Sequence, residues 1–168
     1  MNKKGSMPFA VKLLILLQGV LGAGAVFGGG VLVIDPSGEM IGMPTDMMKV
    51  PIFPDFLIPG LILLIVLGIG PLAIMVSLLR RKEWALGEKL NLFRPMHWSW
   101  TFSLYTAFAL IIWIMVQLYI IKETSVIHVI YMTLGLVIQI VTLLPSSRDY
   151  YEPQQGRDEE SGKGVTMT

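Results

Sequence analysis

The stretch "WSWTFSLYTAFALIIWIMVQLYII", residues 98–121, contains no Asp, Glu, Lys or Arg. About 20 consecutive apolar residues carry a helix across the hydrocarbon core of a bilayer. No water inside that core hydrogen-bonds the backbone, so a spanning segment must satisfy its own N–H and C=O groups. The alternation expected of a barrel strand is missing from the stretch, and helix follows. After it come only four polar residues, "KETS" (122–125), before a second charge-free window at 126–144. A connection that short folds the two helices into an antiparallel hairpin.

Two further windows precede this hairpin. Residues 9–34 are interrupted only by Lys12, and residues 56–79 carry no charge. The chain of 168 residues is 54% hydrophobic and 15% charged, against about 25% charged in ordinary soluble domains. Its charges crowd between the windows. The expected architecture is all-α: an integral membrane four-helix bundle over residues 1–145, followed by a disordered cytoplasmic tail over 146–168, which is polar and has no apolar period. A cleavable leader is the competing reading of the first window, with Ala23-Gly24-Ala25 as its small-residue site. The apolar run continues through "VFGGGVLVI", so a retained helix is expected.

Basic residues set the expected direction. Of 13 Lys and Arg, only Lys49 and Lys122 fall outside the N-terminus, the 80–97 loop and the C-terminal tail. By the positive-inside rule both termini are cytoplasmic and the 35–55 loop faces out. The net charge of +1 gives no bulk attraction for nucleic acid. The absence of cysteine excludes disulfides, thiolate metal sites and thiol redox chemistry.

The loops have their own signals. "DPSG" (35–38) has the residues of a type I turn. Between it and Pro51 lies "MIGMPTDMM" (40–48), too short to span and too apolar for a free loop. A one- or two-turn helix at the outer interface is expected there. Asp55 is placed to cap the second span, whose regular helix is expected to begin near Pro59. Thr124 or Ser125 is placed to cap the fourth. Pro71 inside the second span removes a backbone donor and should kink it. The 80–97 loop mixes charge with Trp84, Leu86, Leu90, Leu92 and Phe93, which suits a short amphipathic helix on the inner leaflet.

Four groups of residues are candidates for function or assembly. Gly24 and Gly28 form a small-xxx-small pair on the first helix, the spacing that lets helices approach closely in lipid. Gln18 and Gln139 fall at similar depth and are expected to hydrogen-bond across helices. Trp113 and Gln117 share a helix face, and His128, Tyr131, Asp35 and Asp55 lie toward the same side. Together these six suit an outward-opening pocket with apolar walls and a few polar groups. Met40, Met43, Met47 and Met48 are soft thioethers that would suit Cu(I). Methionine is also an apolar filler, which weighs toward a greasy surface. No catalytic arrangement, phosphate loop or zinc signature appears, so the sequence points away from an enzyme and implies no cofactor.

The glycine-containing first helix leading into "VIDPSG", a short outer segment and a second helix loosely resembles the DoxX-like group over residues 10–80. The whole chain resembles small four-helix membrane proteins of bacteria and archaea. The resemblance implies the cytoplasmic membrane of a prokaryote and no functional residue. The expected role is a structural or accessory subunit, associating with a second copy or a membrane partner through the Gly24 and Gly28 face. Binding or transport of a small lipophilic or amphipathic molecule at the outer pocket is the alternative, and Cu(I) handling a third reading.

Overall fold

A computed structural model describes residues 6–152, and every regular element in that range is helical. Helix α1 runs Phe9–Ile34, α2 Leu57–Arg80, α3 Ala85–Lys89, α4 Trp98–Ile121, α5 Val126–Leu143 and α6 Pro145–Tyr151. Among the described residues α1, α2, α4 and α5 are the four helices long and apolar enough to cross a membrane. Their outward faces carry large apolar side chains such as Leu16, Ile65, Ile112 and Ile140. The 35–55 segment marks one end of the bundle, the methionine end. The 81–97 loop and α6 mark the other, the basic end.

Glycine sets how closely α1 and α2 approach. A Cβ on Gly29 would stand 2.6 Å from the Leu64 backbone nitrogen, and one on Gly22 would meet the Gly68 carbonyl oxygen at 3.0 Å. Gly60 and Gly68 return the contact against Leu32 and Val26. In lipid such close contact, not exclusion of apolar surface from water, holds helices together. At the second seam, a Cβ on Gly135 of α5 would meet Ile111 at 3.0 Å and the Ala107 carbonyl at 3.5 Å on α4.

The break expected at Pro71 takes the form of a π-helical segment, Leu63–Ile69, immediately before Gly70 and Pro71. There Gly70 N–H reaches back to the Ile65 carbonyl. Pro71 has no N–H to close the α-helical bond to residue 67, and a wider turn is one way to accommodate that loss. Regular helix begins at Leu57, two residues before Pro59. Asp55 accepts from Leu57 N–H at 2.9 Å, the capping role its position suggested.

Polar side chains inside the spans mostly bond to the backbone. Trp100 Nε1 donates to the Thr142 carbonyl at 2.8 Å, and Ser103 and Thr142 hydroxyls donate to carbonyls four residues back. The Ser77 hydroxyl, the Trp113 indole and the Gln18 amide are exceptions, with no partner among the described residues. Gln18 is fully buried, while Gln139 is half-buried. The expected Gln18–Gln139 bond is therefore absent.

At the basic end the 81–97 loop folds back as the five-residue helix α3, with Trp84 edge-on to Trp98 at 5.1 Å. Buried Asn91 organises it, donating to the Met96 carbonyl and accepting from the Thr101 hydroxyl at 2.6 Å and Phe93 N–H at 3.1 Å. The disorder expected from residue 146 gives way, over its first residues, to α6. Its Tyr151 hydroxyl donates to the Leu78 carbonyl at 2.9 Å, and Arg81 lies 4.1 Å over the Tyr150 ring. Two aromatic anchors offset the polar composition of the stretch. Residues 153–168 lie outside the described range.

Candidate functional site

The methionine end opens into a cavity of about 620 Å³. Its walls come from α1, the first turns of α2, the adjoining ends of α4 and α5, and the methionine segment. Trp113, Gln117, His128 and Tyr131 all line it, from two helices. Trp113 lies eight residues, roughly 12 Å of helix, below Ile121 at the end of α4. Gln117 is one turn above it, and His128 sits near the mouth in the first turn of α5.

Two features of local sequence make the space. Gly24 and Gly28 leave the cavity-facing side of α1 bare, and both line the cavity. Helix α5 contributes no fully buried residue before Gly135; Tyr131, Met132 and Leu134 pack against the core only partly buried, which leaves the first turns of α5 loosely covered beside the cavity. Phe27 and Ile127 line the cavity and are 72% and 62% exposed, so it reaches the bundle surface between α1 and α5.

The methionine segment covers the end. Where a one- or two-turn helix was expected it contains two separate single 3₁₀ turns, Glu39–Ile41 and Thr45–Met47. Pro44 between them and the left-handed Gly38 and Gly42 explain the division. Met43, Met47 and Met48 turn to the cavity, whereas Met40 is 63% exposed and does not line it. The segment is tied down at both ends. Lys49 and Val50 N–H groups reach the Ile120 carbonyl at 2.9 and 3.2 Å, and Phe56 N–H reaches the Pro36 carbonyl at 2.9 Å.

The two expected acidic members do not join the site. Asp35 accepts from Ser37 and from Met40 N–H at 2.8 Å, holding its own turn together. The Ser37 hydroxyl and the Met40 N–H hold its carboxyl below the usual range. Asp55 is engaged with Leu57 N–H and is absent from the wall. Sequence reasoning named Ser125 as a cap but missed it, Thr124 and Glu123 as wall residues. Among the described residues, Glu123 is the one carboxylate of the wall, and no Lys or Arg lines it.

Hydrogen bonding defines what the polar wall residues offer. Ser125 accepts from Ile127 N–H, and His128 Nδ1 accepts from Ser125 N–H at 3.1 Å, a reciprocal cap of α5. With Nδ1 accepting, the proton of the neutral imidazole sits on Nε2. Trp113 is 8% exposed, and its indole N–H has no acceptor among the described residues.

A second hollow, of about 630 Å³, lies at the basic end beside Arg81, Glu88, His97 and Tyr151. Burial holds the His97 imidazole below its ordinary value, partly opposed by the Glu88 charge. Burial also raises the Tyr151 phenol. This hollow is more polar, and Glu152 at its edge is the last described residue. Comparison with protein-family models, curated proteins and solved structures finds no match for this chain.

Proposed function

We propose that this protein binds a small lipophilic or amphipathic molecule in the cavity at the methionine end. The observation that carries the reading is convergence: Trp113, Gln117, His128 and Tyr131 meet on one mainly apolar space of about 620 Å³. Ligand sites are typically cavities of about 300–1,000 Å³ with apolar walls and a few polar groups. The distribution of Lys and Arg supports a mouth on the side away from the cytoplasm. A molecule dissolved in that leaflet would reach the cavity between Phe27 and Ile127.

Native mass spectrometry of protein released gently from its own membrane tests this. A Cβ on Gly28 meets only Leu63, at 3.7 Å, so Gly28→Leu extends into the cavity without a backbone clash. The expected result is a small molecule bound to the wild type and absent from Gly28→Leu, with the same number of chains in both. A second chain that copurifies with the wild type and is lost from Gly28→Leu would instead favour association through the α1 glycines.

A further inference from the structure

Small residues recur on α2 at Gly70, Ala73 and Ser77, three and four apart and therefore on one face. Trp98 and Phe102, four apart on α4, stand opposite them. Between the two rows lies a mainly apolar groove of about 450 Å³. It lies on the outside of the bundle, since Ala73 and Val76 line it and are exposed. Trp84 adds to the aromatic wall, edge-on to Trp98 and Phe102 with ring centroids 5.1 and 6.0 Å away. From Gly70 to Arg80 the α2 wall is 11 residues, about 16 Å of helix. The hydrocarbon core is roughly 30 Å thick, so the groove has the depth of one leaflet and the length of one acyl chain.

We infer that this groove, at the end of the bundle opposite the cavity, holds an anionic phospholipid, with an acyl chain along α2 and the phosphate at Arg80 and Lys82. Arg80 follows Ala73, Val76 and Ser77 at helical spacings, so it continues their face at the end of the span. Arg81 is left-handed, with φ 48°, and ends the helix. Lys82 comes next and lines the groove. Trp98 Nε1 donates to the Lys82 carbonyl at 2.8 Å, which fixes the chain there beside the aromatic wall. Arg80 and Lys82 are both exposed, within reach of a headgroup. Arg81 is directed elsewhere, over the Tyr150 ring and donating to the Tyr150 carbonyl at 2.9 Å. Glu83 also lines the groove, and Glu88 is engaged with Trp98 N–H at 3.2 Å. Arg80 and Lys82 against Glu83 leave the mouth positive. Basic pockets between spanning helices suit anionic headgroups, and phosphate oxygens take charge-assisted hydrogen bonds from both cations.

The test uses the full chain, delipidated in detergent, with dioleoyl phosphatidylglycerol, phosphatidylcholine and phosphatidylethanolamine. The last asks whether Glu83 recruits an ammonium instead. Binding of the first lipid is read by native mass spectrometry. Phosphatidylglycerol is expected to bind roughly tenfold more tightly than either zwitterionic lipid. Arg80→Gln with Lys82→Gln should lower it to the level of phosphatidylcholine. Lys89→Gln with Arg94→Gln removes the same charge from the same end but outside the groove, and should leave the preference intact. Ala73→Leu fills the groove and should weaken binding of all three lipids. All five positions are exposed, so these variants keep the fold. Equal affinity for the three lipids, or tightest binding of phosphatidylethanolamine, overturns the inference. An equal loss in the Lys89 and Arg94 pair would assign the preference to the general charge of this end and overturns it too. So does binding that Ala73→Leu leaves unchanged, which would place the lipid off the groove.

Discussion

The hydroxyl of Tyr131 on α5 stands 2.7 Å from where a Cβ on Gly24 of α1 would lie. The two residues meet at the seam between these helices beside the cavity. Gly24→Ala should push aside only the far end of the Tyr131 side chain and destabilise the fold by no more than about 1 kcal/mol. Gly30→Ala, with nothing within 4 Å of the added carbon, should be neutral or slightly stabilising. Unfolding titrations in mixed detergent would rank the two. Equal effects would mean that the Tyr131 contact does not constrain α1.

Gly29→Ala should be the most severe of these substitutions. Its Cβ would collide with backbone, 2.6 Å from Leu64 nitrogen and 2.9 Å from the Gly60 oxygen, and backbone cannot rotate away. The same titration should show a larger loss than for Gly24→Ala. Loss of soluble folded protein would agree with this; wild-type stability would contradict it.

Gln18 is a buried amide without a partner, so Gln18→Leu should raise stability by about 1–3 kcal/mol. Gln139→Leu should change it by less than about 0.5 kcal/mol, because no bond joins the two. A destabilising Gln18→Leu would reveal a polar partner for that amide.

Stability should also depend on pH through His97. Its folded value lies below the ordinary 6.5 because the ring is half-buried. Below 6.5 the unfolded chain takes up a proton that the folded chain refuses, so stability falls as pH falls, until the folded ring protonates too. Above 6.5 this contribution is constant. His97→Asn keeps a side-chain acceptor at the N-cap of α4 without titrating in this range. Melting temperatures at pH 5 and 7.5 should differ more for the wild type than for the variant. Equal differences would remove His97 as the cause.

Asn91→Ala strips the basic-end loop of its organiser. It would leave the Met96 carbonyl, Thr101 hydroxyl and Phe93 N–H without their partner, a loss of about 2–4 kcal/mol. Limited proteolysis should cut first within 84–96 in the variant. Unchanged digestion would mean that the aromatic contacts of Trp84 suffice.

The spanning helices were legible because freedom from charge over a long window is a property of sequence alone. Half of the cavity was legible too. Trp113 and Gln117 share a face by helical period, and the depth of His128 and Tyr131 follows from the short "KETS" link. Asp35 and Asp55 were misplaced for a local reason: aspartate at a turn competes for neighbouring backbone N–H groups, and both carboxylates are used that way. Small-residue spacing on α1 announced close approach but not the partner, since intrachain and interchain contacts need the same glycines. Gly22 and Gly29 meet α2 of the same chain, and Gly24 meets Tyr131. Helix α6 was hidden because Tyr150 and Tyr151 anchor an otherwise polar stretch through contacts far away in sequence.

The π segment in α2 changes how the span can vary. A wide turn holds one residue more than an α-helical turn, so the side-chain phase slips between the two halves. Phe56, Pro59 and Leu63 on one side of the slip face the cavity, while Ile74, Ser77 and Leu78 on the other are buried at the basic end. The two halves answer to separate neighbours and are free to diverge at separate rates. A helical repeat fitted through both will be out of register at Gly70, and homologues are expected to gain or lose a residue there first.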